Sequence, residues 1–396
     1  MKNIDSFSFL SKKVLIRVDF NVPLDDNLNI SDDSRIKAAL PTIKKVIDDG
    51  GRAIIISHMG RPKNGYEKKF SLKVVAKKLS VLLNKPIHFS GDCIGFSASS
   101  DISKMKNGDV LVLENLRFYS EEESGNVAFA KKLSEYADFY INDAFGTAHR
   151  EHASTAIIAQ FFRKKKCFGI LLEKEINNLN KALQNPKRPF TAIIGGSKIS
   201  GKIDVINALF EKVDVLIIGG GMAYTFAKAM GGYVGDSLVE NDKLILAKKL
   251  IVTAKEKNVK LLLPCDSVNG NSFSENSNIK NTTISNIPQG WMGLDIGSKS
   301  INQFSKCILN SKTIIWNGPM GVFEIDLFSE GTKKIGECVC KATTNGAYSL
   351  VGGGDSVASL KKFGLSRNVS YISTGGGAML EYLKGNKLPA VIAILD

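Results

Sequence analysis

Four segments in the second half of the chain carry residue types that suit phosphate binding. Each runs from an apolar, β-branched stretch straight into a glycine cluster, and the four are TAIIGGSK (191–198), VLIIGGGM (215–222), SLVGGGDS (349–356) and YISTGGGA (371–378). Glycine lets the backbone turn sharply and approach a ligand closely. A helix that follows such a turn points its free N–H groups at the ligand, and its dipole favours an anion. Four such units predict one phosphate-rich ligand at the carboxyl edge of a parallel sheet.

Two lysines stand in the first of these segments, GGSKISGK (195–202). Lys198 and Lys202 are four residues apart, so we expect them on one face of a helix start, where two cations suit a polyanion. A pair of solvated lysines is the alternative. The spacing from Gly196 to Lys202 comes close to the P-loop motif, but Ile203 stands where that motif has the hydroxyl that holds Mg²⁺. We therefore do not expect an ordinary P-loop.

Two carboxylates in the same half are candidates for ligand contacts. Asp355 follows the glycines of GGGDS, and Mg²⁺ is commonly held by one or two carboxylates together with substrate phosphates. An Asp at this point also fits a helix N-cap. Glu324, in WNGPMGVFE, suits either a contact with a ribose hydroxyl or a solvated surface charge.

The first half carries a different chemistry, which is built on arginine and histidine. Polar side chains stand just after successive predicted strands or open the next helix: Asp19, Asn21, Arg35, His58, Arg61, Arg117, His149 and Arg150. Ligands of open α/β sheets bind at the carboxyl ends of the strands. Guanidinium groups bind carboxylates and phosphates bidentately. The set predicts an anion cradle, although each residue alone also fits a solvated arginine or a structural histidine.

The elements that must position these residues alternate between strand and helix. In the first half we predict strands at 14–20, 53–59, 109–116 and 137–143, and helices at 34–50 and 71–84. Such alternation predicts parallel sheets with right-handed crossovers. Residues 150–190 contain no clear strand, and an amphipathic helix is predicted at 171–183. Residues 269–289 are polar and predict a surface hairpin or excursion.

Length and composition indicate an ordinary globular protein of two domains. The chain has 396 residues, of which 43% are hydrophobic and 23% charged, whereas single cores stop growing near about 250–300 residues. No apolar run approaches the roughly 20 residues of a membrane span, and the first residues do not resemble a secretory signal. We expect a cytoplasmic protein with no membrane partner. The six cysteines form no CxxC pair, so we expect small core residues and no zinc site.

The net charge of +14 invites a nucleic-acid interpretation. The lysines are, however, scattered over many predicted helix faces. The longest basic run, RKKK (163–166), has no interleaved aromatic residues, which a base-stacking surface would need. We expect no nucleic-acid partner and interpret the charge as a solvated surface that also attracts small polyanions.

Taken together, the motifs resemble the phosphoglycerate kinase family over essentially the whole chain. The matching runs are RVDFNVP (17–23), SRIKAALP (34–41), SHMGRP (57–62), LENLRF (113–118), NDAFGTAHR (142–150), IIGGSKIS (193–200), LIIGGGMAYTF (216–226), LPCD (263–266), WMGLDIG (291–297), IIWNGPMGVFE (314–324), VGGGDS (351–356) and STGGGA (373–378). The expected fold is α/β, with two Rossmann-like parallel-sheet domains in three αβα layers, joined by a long helix and hinge. We place a phosphoglycerate-binding domain at 1–167, with a tail (385–396) that packs back on it, and a nucleotide-binding domain at 168–384.

The resemblance implies reversible, Mg²⁺-dependent transfer of the acyl phosphoryl group of 1,3-bisphosphoglycerate to ADP, by direct in-line transfer in a cytoplasmic, glycolytic monomer that closes about its hinge. It implies a phosphoglycerate site at Asp19, Asn21, Arg35, His58, Arg61, Arg117 and Arg150. It implies a nucleotide site at Gly195, Lys198, Lys202, Gly219, Gly220, Leu294, Asn317, Pro319, Glu324, Gly353, Gly354, Asp355 and Ser356, with Asp355 engaging Mg²⁺. The implied catalytic groups are Arg35, Lys198, Gly375 and Gly376.

One position departs from the resemblance. Gly201 stands where members of the family often carry a polar residue, commonly Asp. We expect this glycine to loosen the predicted helix start by up to roughly 1 kcal/mol. The alternative function, a P-loop-like nucleotide hydrolase or another small-molecule kinase, is disfavoured by Ile203 and by the arginine set of the first half.

Overall fold

Most strands of the protein coincide with its short apolar, β-branched runs, as is typical of parallel sheets that are covered on both faces. A computed structural model describes residues 3–63 and 65–396. Its strands are β1 (Lys13–Val18), β2 (Arg52–Ile56), β3 (His88–Phe89), β4 (Val110–Val112), β5 (Phe139–Asp143), β6 (Lys166–Phe168), β7 (Phe190–Ile194), β8 (Val215–Ile218), β9 (Tyr233–Val234), β10 (Lys260–Leu262), β11 (Asp266–Gly270), β12 (Ile279–Thr283), β13 (Asn286–Ile287), β14 (Met292–Ile296), β15 (Thr313–Asn317), β16 (Tyr348–Val351) and β17 (Tyr371–Ile372).

The helices occupy the amphipathic stretches between these strands. The α-helices are α1 (Ser34–Asp48), α2 (Lys73–Leu83), α3 (Gly95–Ser103), α4 (Ser120–Glu123), α5 (Val127–Ser134), α6 (Ile170–Leu183), α7 (Ile203–Phe210), α8 (Met222–Ala229), α9 (Leu244–Glu256), α10 (Ser298–Asn310), α11 (Glu330–Thr344), α12 (Gly354–Lys362), α13 (Gly376–Leu383) and α14 (Pro389–Leu395). Short 3₁₀ helices lie at Ile4–Ser6, Lys68–Phe70, Leu116–Phe118, Phe145–Thr147, Ile157–Phe161, Asn241–Lys243, Asp326–Phe328 and Ser366–Asn368. In the described chain no helix combines the length and the apolar character that crossing a bilayer requires.

The chain divides into two units. The first unit runs to Asn177 and includes Lys387–Asp396, and the second spans Asn178–Asn386. The division falls within α6, later than the predicted boundary at residue 167. Met1, Lys2 and Asn64 belong to the predicted N-terminal domain and lie outside the described residues.

The first unit is built on a parallel sheet with the strand order β3-β4-β2-β1-β5-β6. Its core contains the buried faces of β1, β2 and α1, where Ile36, Ala39, Ile43 and Val46 recur at helical spacing. Helix α14 lies against this unit, because Lys166 Nζ donates to the carbonyl of Ala393 over 2.7 Å. The sheet order places the carboxyl ends of β4, β2, β1 and β5 side by side.

The second unit is built on a parallel sheet with the order β10-β8-β7-β15-β16-β17. A three-stranded sheet, β12-β11-β14, and a two-stranded sheet, β13-β9, accompany it. The four strand-to-glycine segments supply β7, β8, β16 and β17, so all four glycine turns lie at one edge of one sheet, as predicted. The predicted α/β class with two parallel-sheet domains is confirmed.

Strand pairing contradicts one prediction and confirms another. The expectation of no strand in 150–190 is wrong, because Cys167 pairs with Ile141 of β5 and makes β6 an edge strand. A run of three residues is too short to show a strand period, so only the pairing with β5 identifies β6 as a strand. The segment predicted at 269–289 as a hairpin or excursion runs from the end of β11 through β12, and because these strands pair antiparallel it is a hairpin.

The cysteines behave less uniformly than expected. All six thiols are free, and Cys93, Cys167 and Cys340 are buried core residues. Cys265 is exposed, so the expectation of a core position is wrong there. Burial raises the pKa of the Cys167 thiol to about 12, which makes it a poor nucleophile at neutral pH.

Candidate functional site

The polar residues predicted in the first unit follow four neighbouring strands of its sheet. Asp19 and Asn21 follow β1, and His58 follows β2. Arg117 lies in the 3₁₀ helix after β4, and Arg150 follows the 3₁₀ helix after β5. Because adjacent parallel strands end at one edge, the topology brings these segments together there.

Hydrogen bonds connect three of these segments. Arg35, in the first turn of α1, donates from Nη1 to Asp19 Oδ2 over 2.8 Å. Asn21 Oδ1 accepts from the Gly60 amide over 2.8 Å. The Gly60 carbonyl in turn accepts from Arg117 Nη1 over 2.8 Å. The loop after β2 is therefore tied to the segments that follow β1 and β4.

The remaining members of the set are more open. Arg61 is exposed, and Arg150 is partly exposed. Arg150 Nε lies 3.3 Å from His149 Nε2, so the imidazole can accept its hydrogen bond. These guanidinium groups are accessible to an anion.

A buried ionic network lies among these residues, and sequence reasoning missed most of it. Arg17 Nε donates to Ser154 Oγ over 2.8 Å, and the Ser154 hydroxyl donates to Glu122 Oε1 over 2.6 Å. Arg17 Nη2 lies 3.2 Å from His58 Nδ1. Arg17, Glu122 and Ser154 are fully buried. An arginine inside an apolar strand, VLIRVDF, is the one signal that pointed to such a network.

Two histidines of this region, His58 and His152, are neutral. Burial, reinforced by Arg17 and Arg117, holds the pKa of His58 well below its ordinary value. The same causes lower the pKa of His152 to about 3. Neutral imidazoles leave the positive charge of this edge to the arginines, and His58 can act as a hydrogen-bond partner without adding to their repulsion.

In the second unit, the glycine turns enclose a polar cavity of about 410 Å³. Its lining includes Gly195, Lys198, Gly201, Lys202, Asn317, Gly353, Gly354, Asp355, Ser356 and Gly376. The turns after β7, β15 and β16 and the start of α13 all contribute to it. Nine of the predicted residues are thus brought around one space, while Gly375 stands just before it as the N-cap of α13.

Close backbone packing explains two of the glycines. A Cβ atom at Gly195 would lie 2.0 Å from the carbonyl oxygen of Pro319, because the turns after β7 and β15 pack main chain against main chain. Gly353 has a φ of +98°, a region that residues with a side chain rarely adopt. A side chain at Gly195 would therefore push apart the two turns, and one at Gly353 would strain the backbone.

The two lysines of the first glycine segment occupy different environments. Lys202 is partly buried and donates from Nζ to Asn317 Oδ1; burial lowers its pKa, and Asp355 opposes that shift. Lys198 is exposed. The prediction that both lysines share a face of a helix start is wrong, because α7 begins at Ile203 and Lys198 lies in the preceding turns. Gly201 also precedes the helix, so the expected loosening of a helix start does not apply.

A second, larger cavity of about 700 Å³ adjoins the first and shares Gly196, Ser197 and Asp355 with it. The predicted residues Gly220, Leu294, Pro319 and Glu324 line it. Gly219 lies behind this wall, where a Cβ atom would meet the Met320 sulfur at 2.4 Å. Phe273, Tyr224, Met292 and Val322 also line the cavity, and sequence reasoning missed them. Phe273 lies in the hairpin that composition marked only as a polar excursion, so only the structure shows where its ring lies.

A buried carboxyl group supports the wall of this larger cavity. Asp295, in β14, accepts from the Gly331 amide at the start of α11 over 2.6 Å and from the Ile296 amide over 2.9 Å. Thr332 Oγ1, in the same turn of α11, accepts from the Met320 amide over 3.0 Å. Burial raises the pKa of the Asp295 carboxyl to about 8. Asp295 therefore ties β14 to the helix turn that holds the loop after β15.

The arrangement fits a divalent cation that is shared with a ligand. Among the described residues, no group of three or more Asp, Glu, His or Cys side chains could hold a metal by itself. Asp355, in the first turn of α12, is exposed and lines both cavities. One accessible carboxylate beside two lysines suits Mg²⁺ held jointly by the protein and by phosphates.

Such a site defines a class of protein. An apolar cavity that leads into a glycine-walled, lysine-lined polar cavity fits a nucleoside and its phosphates, and an arginine-rich sheet edge fits a second anion. These are the features of a nucleotide-dependent phosphotransferase of the α/β class.

Comparison with known proteins gives the family. The family model for phosphoglycerate kinase matches residues 4–386. A phosphoglycerate kinase of Porphyromonas gingivalis is 52% identical and is aligned over 99% of both chains; a chloroplastic one of Chlamydomonas reinhardtii is 51% identical over 97% of this chain and 83% of its own. The phosphoglycerate kinase structure from Coxiella burnetii superposes with a TM-score of 0.88 at 42% identity, covering 99% of this chain and 98% of its own.

The chain belongs to the phosphoglycerate kinase family. It is a phosphotransferase that uses ATP and ADP, and its reaction is the glycolytic transfer of a phosphoryl group between 1,3-bisphosphoglycerate and ADP.

Proposed function

We propose that the phosphoryl group passes directly from the acyl phosphate to ADP, with phosphoglycerate held by the first unit and the nucleotide by the second. The observation that supports this division is the presence of two different anion-binding edges, one lined by arginines and one by glycine turns and lysines. Each lies at the carboxyl ends of its own parallel sheet. The sequence-based limits, 1–167 with 385–396 and 168–384, remain our proposal for the two domains.

The first unit binds phosphoglycerate through its guanidinium groups. Arg61 and Arg150 are accessible, and Arg35 keeps its Nη1 on Asp19 while its other N–H groups remain available for an anion. Asp19, Asn21, His58 and Arg117 complete the proposed contact set. Because His58 is neutral, it recognises a hydroxyl or an anion through a hydrogen bond rather than through charge.

The second unit binds the nucleotide across its two cavities. The nucleoside occupies the larger, more apolar cavity, with Glu324 accepting from a ribose hydroxyl and Leu294 against the base. The phosphates occupy the smaller cavity, where Lys198, Lys202 and the amides of the glycine turns face them. The 410 Å³ and 700 Å³ volumes adjoin at Gly196, Ser197 and Asp355, as a single extended ligand requires.

The chemistry requires positioning and positive charge rather than a protein nucleophile. An oxygen of the ADP β-phosphate attacks the acyl phosphorus, a new P–O bond forms, and the bond to the acyl oxygen breaks to leave the carboxylate of 3-phosphoglycerate. Arg35 and Lys198 flank the moving group, and the amides of Gly375 and Gly376 face it at the start of α13. Asp355 would hold Mg²⁺ together with the nucleotide phosphates, and the ion would neutralise charge on the transferring group.

A direct transfer requires that both ligands meet away from water. We propose that the units close about a hinge near residues 165–190 when both substrates are bound. Small-angle scattering would test this: the radius of gyration should fall with both ligands and stay constant with either alone. The same radius in all three states would refute a large closure.

We also propose that the enzyme acts as a cytoplasmic monomer. Light scattering after gel filtration, over a range of protein concentrations, should give one mass near the 43.0 kDa of the chain. A mass near twice that value at all concentrations would contradict the proposal.

A coupled assay tests the activity. The protein should consume 1,3-bisphosphoglycerate only when ADP and Mg²⁺ are present, and EDTA should abolish turnover, which added Mg²⁺ restores. Acid quenching with labelled acyl phosphate should trap no phosphorylated protein. Label on the protein at the level of active sites would contradict direct transfer.

A further inference from the structure

Lys198 lies between β7 and α7, outside any helix or strand of the second unit. It is exposed, and the residues that follow it form turns until α7 begins at Ile203. Gly201 lies in these turns, and apart from its chain neighbours no described residue has an atom within 4 Å of the position that its Cβ would occupy. A helix therefore does not fix the backbone that carries Lys198. Something else must keep this long, mobile side chain near the phosphates.

The carboxylate of Glu240 holds the backbone next to Lys198. Its Oε2 accepts from the Ile199 amide over 2.6 Å and from the Ser200 amide over 3.1 Å. These are the first two peptide N–H groups after Lys198. The buried Ile199 side chain adds an apolar anchor on the same residue.

The main chain of Glu240 is itself fixed by a hydrogen bond to α8. Its main-chain N–H donates to Thr225 Oγ1 over 3.2 Å, and Thr225 is a buried residue of α8. Residues 236–240, which we call the strap, lead up to it. Asp236 and Leu238 of the strap line the larger cavity, where we place the nucleoside. The strap thus runs from the nucleoside region to the turns that carry the lysine.

The charge of Glu240 matches this contact. Partial burial raises the pKa of its carboxyl, but the hydrogen bonds from Ser200 and Ile199 outweigh that effect and leave the pKa below its usual value. The group is therefore ionised at neutral pH and accepts hydrogen bonds only.

We infer that Glu240 is a positioning residue, which fixes the turn 198–200 so that Lys198 meets the transferring phosphoryl group. The inference rests on the proposed role of Lys198. Glu240 is not among the residues that line either cavity. Its carboxylate acts through the two amides, and the strap lets an occupied nucleoside cavity keep that carboxylate in place.

Three substitutions of Glu240 separate its geometry from its charge. Both amides bond to one oxygen, so Glu240→Gln keeps a suitable acceptor while it removes the charge. Glu240→Asp keeps the charge but withdraws the oxygen, and Glu240→Ala removes both. We expect kcat to fall about 10- to 100-fold in E240A and E240D, with E240Q within about 3-fold of the parent and the KM for 3-phosphoglycerate unchanged in all three. Normal turnover in E240D with reduced turnover in E240Q would overturn the inference.

A matched control and a double variant complete the test. Asp242, two residues further along, is exposed and pairs with Lys243 over 2.7 Å, so Asp242→Ala should leave kcat unchanged. In a Lys198→Ala background, E240A should lower kcat no further, because the side chain that it positions is gone. An additional 10-fold loss there would overturn the inference. Full turnover of K198A alone would instead refute the proposed role of Lys198, whatever E240A does.

Discussion

We propose that both units bind anions at the carboxyl edge of a parallel sheet, but with different parts of the chain. In the first unit the proposed ligand contacts are side chains, and a buried network of Arg17, Ser154 and Glu122 lies among them. In the second unit the main chain forms the walls, and contacts such as Gly196 N–H to the Pro319 carbonyl, at 3.1 Å, hold the turns together. Only a few charged side chains complete that surface.

The difference fits the ligands that we assign to each unit. A small, highly charged molecule is recognised by the positions of the guanidinium N–H donors that surround it. Holding these side chains in place requires buried polar groups, and burying them costs free energy. A nucleotide is long and partly apolar, and its phosphates need main-chain N–H groups at close range. The first design depends on charge and the second on the absence of Cβ atoms. Substitutions that remove a charge should therefore affect ligand binding to the first unit, and substitutions that add a Cβ atom should affect binding to the second.

The largest effect on turnover should come from Lys198, the exposed lysine of our proposed contact set in the smaller cavity. We expect Lys198→Ala to lower kcat by at least about 10²–10³-fold, because a preorganised cation at the moving phosphoryl group is lost. Binding of 3-phosphoglycerate to the free enzyme, measured by calorimetry, should be nearly unchanged. Lys248→Ala, on α9 and exposed, is the control. Turnover of K198A within a few-fold of the parent would remove Lys198 from the mechanism.

The next effect tests the first unit by charge alone. Arg61 is exposed, so its loss should not disturb the fold. Arg61→Ala should weaken 3-phosphoglycerate binding about 10- to 100-fold, the usual value for a lost charge-assisted hydrogen bond, while ADP binding stays constant. Arg163→Ala, also exposed in this unit, should change neither. An equal loss of both affinities in R61A would contradict separate sites.

A smaller effect tests the second unit by shape alone. A methyl group at Gly195 would meet the Pro319 carbonyl at 2.0 Å, whereas Gly201 has open space. Gly195→Ala should therefore lower the free energy of unfolding by about 1–3 kcal/mol and weaken ADP binding without affecting 3-phosphoglycerate. Gly201→Ala should stay within about 0.5 kcal/mol of the parent. If urea unfolding and calorimetry found the two variants alike, close packing would not be what the glycine turns provide.

The smallest effect concerns stability and pH. Burial raises the folded-state pKa of Asp295 to about 8, above its unfolded value, so the stability that its protonated form supplies is complete at low pH and is lost as pH rises towards 8. Asp143 of the first unit, with a pKa of about 6, titrates mostly below this range. The contribution of Asp295 to the free energy of unfolding should fall by about 2 kcal/mol between pH 6 and 8. His58 and His152, whose folded-state pKa values lie below the unfolded value, oppose part of this fall.

The substitution Asp295→Asn should flatten this pH dependence, because the amide does not titrate. Urea unfolding of both proteins at pH 6 and 8 measures it. Asp143→Asn, the matching change in the first unit, should leave the slope between these pH values in place. A slope in D295N as steep as in the parent would assign the titration to another group.

Much of this architecture can be predicted from local pattern. Apolar runs that end in glycine predict strands β7, β8, β16 and β17 and their shared sheet, because a buried strand and a sharp turn are both local properties. The helical period of residues 171–183 likewise predicts α6. Short strands such as β6 escape, since three residues carry no period and only pairing with β5 makes them strands.

The candidate site divides in the same way. The types of its charged residues, such as Arg35, Lys198 and Asp355, could be read from the sequence because each follows a glycine cluster or opens a predicted helix. The groups that support them could not. Glu122 and Arg17 lie 3.9 Å apart in the fold but far apart in the chain, and no local pattern connects Glu240 with Ile199 or Phe273 with the larger cavity.

The amino-acid sequence by itself determined the class of this protein, its two-part organisation and the chemistry of its candidate ligands, because strand periods, glycine turns and charged residue types are local. Only the tertiary structure decided that α7 starts after both lysines, that Asp295 and the network around Arg17 are buried, and that Glu240 holds the turn after Lys198. Those outcomes depend on which distant segments compete for the same hydrogen bonds and the same space, and a linear pattern does not contain that information.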